Sequence, residues 1–222
     1  MTTVVTRPRA GRNGFRPVPA LALILAAGAV LLLALGPIGW RAHWWDLRFS
    51  LLTLMSYSAY LGVAAFVVGV IALVAGGRRG RVMAIIAIIV GGVTAYVPWH
   101  YRAIAASVPR IHDITTDTVN PPAFVAAVPL RKAERGNPAA YEGAKIAELQ
   151  KKAYPDIVPL DLPLARSKAF DLALATAKEM GWSILVTDPQ AGRIEASQQS
   201  FWYGFTDDIV IRVAAAGGGS RI

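Results

Sequence analysis

Three apolar stretches, Pro19 to Gly39, Phe49 to Ala75 and Val82 to Pro98, contain no Asp, Glu, Lys, Arg or His. A hydrocarbon core about 30 Å thick is crossed by about 20 helical residues, each adding about 1.5 Å. The stretches therefore predict three transmembrane helices, the second long enough to tilt and the third slightly short. Trp40, Trp44 and Trp45 in the first connection and Tyr96, Trp99 and Tyr101 at the far end of the third stretch are amphipathic rings that favour the headgroup level. They mark one interface. The first stretch is about twice the length of a signal-peptide core and lacks a small-x-small cleavage pattern, so it reads as an uncleaved helix.

Charge becomes informative once it is divided along the chain. The net +9 would suit a nucleic-acid partner, but residues 1–110 hold eleven arginines and one acid, Asp46, whereas residues 111–222 hold twelve basic and thirteen acidic residues. The basicity flanks the spans, as in a protein whose partner is the lipid bilayer, and a nucleic-acid groove is not expected. Arg7, Arg9, Arg12 and Arg16 before the first helix and Arg78, Arg79 and Arg81 in the second connection outweigh Arg41 and Arg48 in the first. The N-terminus is accordingly expected in the cytoplasm and the segment after Pro98 on the other side, which in a bacterial inner membrane is the periplasm.

Small residues recur at four-residue steps in Ala22/Ala26, Ala65/Gly69 and Ala87/Gly91/Ala95, spacing that lets helices approach closely. Ser56, Tyr57, Ser58 and Tyr60 are a polar cluster within a span, suited to helix packing or to lining a small cavity. Transporters usually keep an ionisable group in the membrane, and these spans have none, so anchoring is the expected role.

Beyond the spans, the polar, proline-interrupted run from residue 99 to 137 reads as a linker, and 138–222 as a soluble α+β domain. Pro138 to Ala153 is predicted as a helix, Ile157 to Leu162 as a strand, and the segment from Pro163 to Gly181 as a helix with an apolar stripe of Phe170, Ala173, Leu174 and Ala177. Strands are expected at Trp182–Thr187, Gly192–Gln198 and Asp208–Ala214, followed by a glycine turn and the start of another. That order favours one helix packed on an antiparallel sheet. Residues 1–18 form a basic cytoplasmic tail in this scheme, and 19–98 the three-helix transmembrane region.

Ile111-His112-Asp113-Ile114-Thr115-Thr116-Asp117 with a following Pro-Pro, Tyr154-Pro155, Gly181-Trp182, and Phe205-Thr206-Asp207-Asp208-Ile209-Val210-Ile211-Arg212-Val213 together resemble the domain of unknown function 1499 family. The resemblance covers about residues 105–222 and implies no activity. It also implies a further strand and a final helix, so the domain is expected to be incomplete at its C-terminus; an unpaired edge costs stability, so either the chain is truncated there or something else covers the edge.

The candidate chemistry is sparse. His112, Asp113 and Asp117 could hold a divalent ion or form an acid/base pair, although the flanking threonines point to a turn held by side-chain-to-backbone bonds. Asp207 and Asp208 are neighbours in a strand and so face opposite sides. Asp208 and Arg212 share a face about 13 Å apart, so each needs a cross-strand partner, for which the further strand implied by the resemblance is the expected supplier. Arg193 and Glu195 read as a solvated pair. Phe201, Trp202, Tyr203 and Phe205 could fill core, line an apolar pocket or touch the bilayer. Without cysteine there are no disulfides or thiolate metal sites, and no nucleophile elbow, phosphate-binding glycine loop or zinc-protease motif occurs. No cofactor, catalytic residue or resident metal is expected. The expected function is a membrane-anchored, non-enzymatic binding or assembly module of the envelope, its partner an envelope protein or a lipid-like ligand. A metal-assisted hydrolase centred on His112, Asp113 and Asp117, or small-solute transport by an oligomeric bundle, are the alternatives.

Overall fold

The computed structural model describes residues 17–75, 78–133 and 137–222. Arg7, Arg9, Arg12 and Arg16 lie outside the described residues. The chain divides into two compact units, Met1–Ala103 and Ile104–Ile222.

The three apolar helices, all beginning in the first unit, are α1 (Pro17–Arg41), α2 (Met55–Ala75, continuous with a π-helical turn over Phe49–Leu54) and α3 (Arg81–Ser107). Each is long and apolar enough to cross a membrane, and the chain is a membrane protein. Asp46 caps the second helix by accepting the Phe49 N–H at 2.8 Å. The third span is longer than the expected 82–98. Pro98 withholds one backbone hydrogen bond but does not end α3, which continues to Ser107.

Small residues set the packing, as their spacing implied. Ala22, Ala26, Ala65 and Ala87 form the buried centre of the bundle. At the α2–α3 crossing a methyl group on Gly62 would lie 2.8 Å from the Gly91 carbonyl, and one on Gly91 would lie 2.6 Å from the Gly62 carbonyl. Backbones meet there because neither residue has a Cβ. Ser58 is fully buried and donates to the Ala29 carbonyl at 2.9 Å, joining α1 to α2. Tyr57 and Tyr60 face outward, edge to face at 6.2 Å. The polar cluster therefore splits between an interhelical bond and the bundle surface.

In the second unit the expected single sheet is two small ones. The elements are α4 (Ala127–Ala133), α5 (Ala144–Ala153), β1 (Asp161–Leu162), α6 (Arg166–Glu179), β2 (Ser183–Asp188), β3 (Arg193–Gln199), β4 (Thr206–Arg212), β5 (Ala214–Ala216) and β6 (Gly219–Arg221). One antiparallel sheet has the order β2-β3-β4 and the other β1-β6-β5. β4 and β5 are separated only by Val213, whose N–H bonds to the Gly192 carbonyl at 2.7 Å. One strand thus breaks its pairing at a single residue and changes partner.

The start of a further strand expected at Ser220 to Ile222 is a complete short strand, Gly219–Arg221, at the centre of its sheet and paired on both sides. Gly217 and Gly218, both at positive φ, close a two-residue hairpin with β5. β1 covers the other side, Asp161 opposite Arg221, and main-chain bonds between Leu160 and Ile222 extend the pairing. Asp161 and Arg221 form two bonds of 2.7 Å. That pair holds the Asp161 carboxyl below the usual range and raises the guanidinium.

α6 covers one face of the sheets, as its apolar stripe predicted. Ala169, Phe170 and Ala173 bury against Ile194 and Val213, with Leu162, Ile184, Ile211 and Ile222 around them. α5 begins at Ala144, not Pro138, because Gly143 at φ 83° turns the chain outside helical geometry.

Candidate functional site

The polar face of the β2-β3-β4 sheet carries most of the charged side chains singled out in the sequence. Register places Arg193 opposite Arg212, Glu195 opposite Val210 and Ser197 opposite Asp208, while Ile194 and Ile211 point to the other side and α6. Asp208 is nearly buried and Asp207 is exposed, so the two neighbours do face opposite ways.

Much of this face is covered. The run read as a linker crosses it as a strap and ends in α4. Asp117 accepts from Arg212 at 2.8 Å, and Arg131 of α4 pairs with Asp208 while stacking over Phe124 at 4.6 Å. The partners of Asp208 and Arg212 thus come from the strap, correcting the expectation of a further strand. Between these two pairs lies Glu195, fully buried. Its carboxylate accepts the backbone N–H groups of Val125, Ala126 and Ala127 at 2.8–3.1 Å. The acid caps α4 from a neighbouring strand, satisfying donors that a helix start leaves open. Arg193 Nε lies 3.3 Å from Glu195 Oε1, off hydrogen-bonding direction, as a charge contact. The reading of Arg193 and Glu195 as a solvated pair is therefore wrong.

The polar composition of this strap reflects partners on the sheet and on α5, not solvent exposure. Gln150 on α5 donates to the Thr115 carbonyl at 2.6 Å and accepts the Thr115 N–H at 3.0 Å, imitating a strand partner. Gln150, Arg131, Arg193 and Glu195 were not identified as site residues. A glutamate between Ile194 and Ala196 on a strand was the one available hint.

The His112, Asp113 and Asp117 side chains have different partners. His112 Nδ1 is 3.2 Å from Asn137 Nδ2. Asp117 also accepts from the Val119 and Asn120 N–H groups at 3.1 and 2.9 Å, a local turn, and its carboxyl is held low chiefly by the Asn120 bond, with Val119 and Arg212 adding to it. Asp113 is shifted upward by burial, opposed by Arg131 and reinforced by Glu142. Tyr141, whose hydroxyl is buried with no hydrogen-bond partner among the described residues, is likewise raised by burial and by Asp113. Among the described residues no three His, Asp or Glu side chains are arranged to share a metal ion.

A polar groove of about 320 Å³ remains open beside the strap, lined by Arg131, Ser183, Ser197, Gln198, Thr206 and Asp208 among others. It offers hydroxyls, amides and one satisfied ion pair.

The aromatic run does not fill core. It forms the β3–β4 hairpin tip, closed by Ser200 N–H to Phe205 O at 2.8 Å, Gly204 N–H to Ser200 O at 3.0 Å and Phe205 N–H to Ser200 Oγ at 2.9 Å. Gly204 supplies the positive φ of 66° that this closure requires. Phe201 and Trp202 are 81% and 68% exposed, edge to face at 5.1 Å. Tyr203 is half-buried and stacks on Phe205 at 5.4 Å.

Residues 113–222 match the family described as Protein of unknown function (DUF1499). No curated protein and no solved structure matches the chain.

Proposed function

The chain belongs, through residues 113–222, to the DUF1499 family, whose description carries no activity, and from the geometry we propose that it is a membrane-anchored binding or assembly module. Three helices hold it in the bilayer, with the N-terminus in the cytoplasm. The domain stands on the opposite side, the periplasm of a bacterial cell, and recognises its partner through the β3–β4 hairpin. Arginine excess in the second connection supports the orientation.

One observation carries the recognition reading: Phe201 and Trp202 project 81% and 68% exposed from a tip whose backbone is fixed by its own hydrogen bonds. Large apolar rings held in water by a rigid turn are the residue type that dominates binding surfaces. By contrast, Asp117 is engaged with Arg212 and with its own turn while His112 lies against Asn137, which gives a hydrolase centred on His112, Asp113 and Asp117 little support. Ser58 bonds to Ala29 within the bundle, which gives transport little support.

A photoreactive amino acid at position 202, activated in native membranes, tests this. The expected result is a defined adduct, lipid or protein, absent when the same group replaces Ala191 at the β2–β3 turn. No adduct above the Ala191 background would refute recognition by the hairpin.

A further inference from the structure

We propose that the hairpin tip inserts into the surface of the bilayer that holds the chain's own helices, so that the domain is fastened to the membrane at a second point. The proposal rests on the recognition reading above and names its partner. Trp favours the boundary between headgroups and acyl chains, and Phe adds apolar area that buries into it. Around them Gln199, Ser200, Gly204 and Thr206 are uncharged, so shallow burial of the tip removes no ion from water; exposed Asp207, opposite Gln198, is one residue further from the turn. Gly204 and the Ser200–Phe205 closure fix the turn before contact, limiting the ordering cost.

Size separates a lipid from a protein partner. Two aromatic side chains bury about 150–250 Å² each, together about 300–500 Å², below the roughly 600 Å² per partner of a stable protein interface. A tethered tip needs much less. From Ser107, the last residue of α3, to Thr115, the first buried residue of the strap, the chain is about eight residues long and reaches about 28 Å at most. The domain therefore meets the adjoining bilayer surface at an effective concentration of millimolar order, where weak insertion is already populated. With no basic residue at the tip, contact does not depend on anionic lipid.

The chain has no cysteine, so one introduced cysteine is a unique label. The full chain would carry a fluorophore at Gln199→Cys or Thr206→Cys, opposite positions at the base of the tip. It would be reconstituted in phosphatidylcholine vesicles containing lipid-borne nitroxide at the top of the acyl chain. Quenching several-fold stronger than for Ala191→Cys is expected, lost when Phe201→Ala and Trp202→Ala are added, and unchanged by high salt or added phosphatidylglycerol. Quenching equal to that at Ala191 in the unsubstituted tip overturns the proposal without relying on any aromatic variant, as does quenching that survives the double substitution or collapses with salt. In the first of these cases, a protein adduct from position 202 in native membranes leaves the recognition reading standing with a protein partner. Absence of any adduct removes both.

Discussion

Glu195→Gln would show what holds the strap. The carboxylate accepts three N–H groups: Val125 reaches both oxygens at 3.0 and 3.1 Å, and Ala126 and Ala127 reach Oε2 at 2.8 and 3.1 Å. An amide of the same shape keeps one acceptor oxygen at the Oε2 position. Its NH₂ then confronts the Val125 N–H and Arg193 Nε, itself 3.3 Å from Oε1, so donor meets donor. Hydrogen bonds to a charged group contribute about 1.5–3 kcal/mol, neutral ones about 1, so the change should cost about 2–4 kcal/mol. At about 1.4 kcal/mol per tenfold, amide exchange at 125–127 in the full chain should accelerate about 30- to 1000-fold, while the α6 core amides change less. Glu148→Gln, at an exposed acid on α5, is the control. Unaltered exchange at 125–127 would refute the view that a buried acid caps α4.

Other substitutions probe other links. For Asp117 the folded-state carboxyl is lowered, so its stabilisation is full above about pH 4 and is lost as pH falls through the lowered value; Asp117→Asn should remove this acid-side loss and weaken the domain near neutrality, read by unfolding across pH. Asp113, raised by burial, has the opposite sign: its contribution is present in acid and lost as pH rises through the raised value, so Asp113→Asn should stabilise the domain near neutrality. Gly192→Ala drives a Cβ into the Val213 carbonyl at φ 70° and should cost at least about 2 kcal/mol by urea unfolding, through strain at the point where β4 gives way to β5. Gly62→Leu should disrupt the α2–α3 crossing and lower the thermal midpoint of the full chain in nanodiscs, whereas Gly28→Ala, 3.6 Å from Leu61, should be nearly neutral.

What was legible in the sequence follows from which forces leave a local trace. The bilayer requires unbroken apolar length, so the spans could be read directly, down to the glycine and alanine faces that pack. α6 and β2–β4 were legible because burial on one side imposes a period. The strap had no such trace: Thr115, Asp117 and the Val125–Ala127 amides look like linker until Gln150, Arg212 and Glu195, far along the chain, supply their partners. β6 was obscure for a related reason, since three residues carry no alternation and its pairing with β1 spans 60 residues. Of the candidate site, Asp208 and Arg212 were correctly placed on one face but assigned the wrong source of partners. The aromatic run could not be placed from pattern alone, because core and tip both use large rings; the closure by Ser200, Gly204 and Phe205 decides it.

Occupation of the hairpin in its native setting tests the account most directly. Hydroxyl-radical footprinting in native membranes can compare Trp202, 68% exposed at the tip, with Met180, 56% exposed at the end of α6. The account predicts that Trp202 oxidation, normalised to Met180 and to the intrinsic reactivities of the two side chains, falls several-fold below what those exposures give. Oxidation in proportion to the exposures would contradict it, because the tip would then be solvated where its partner is present.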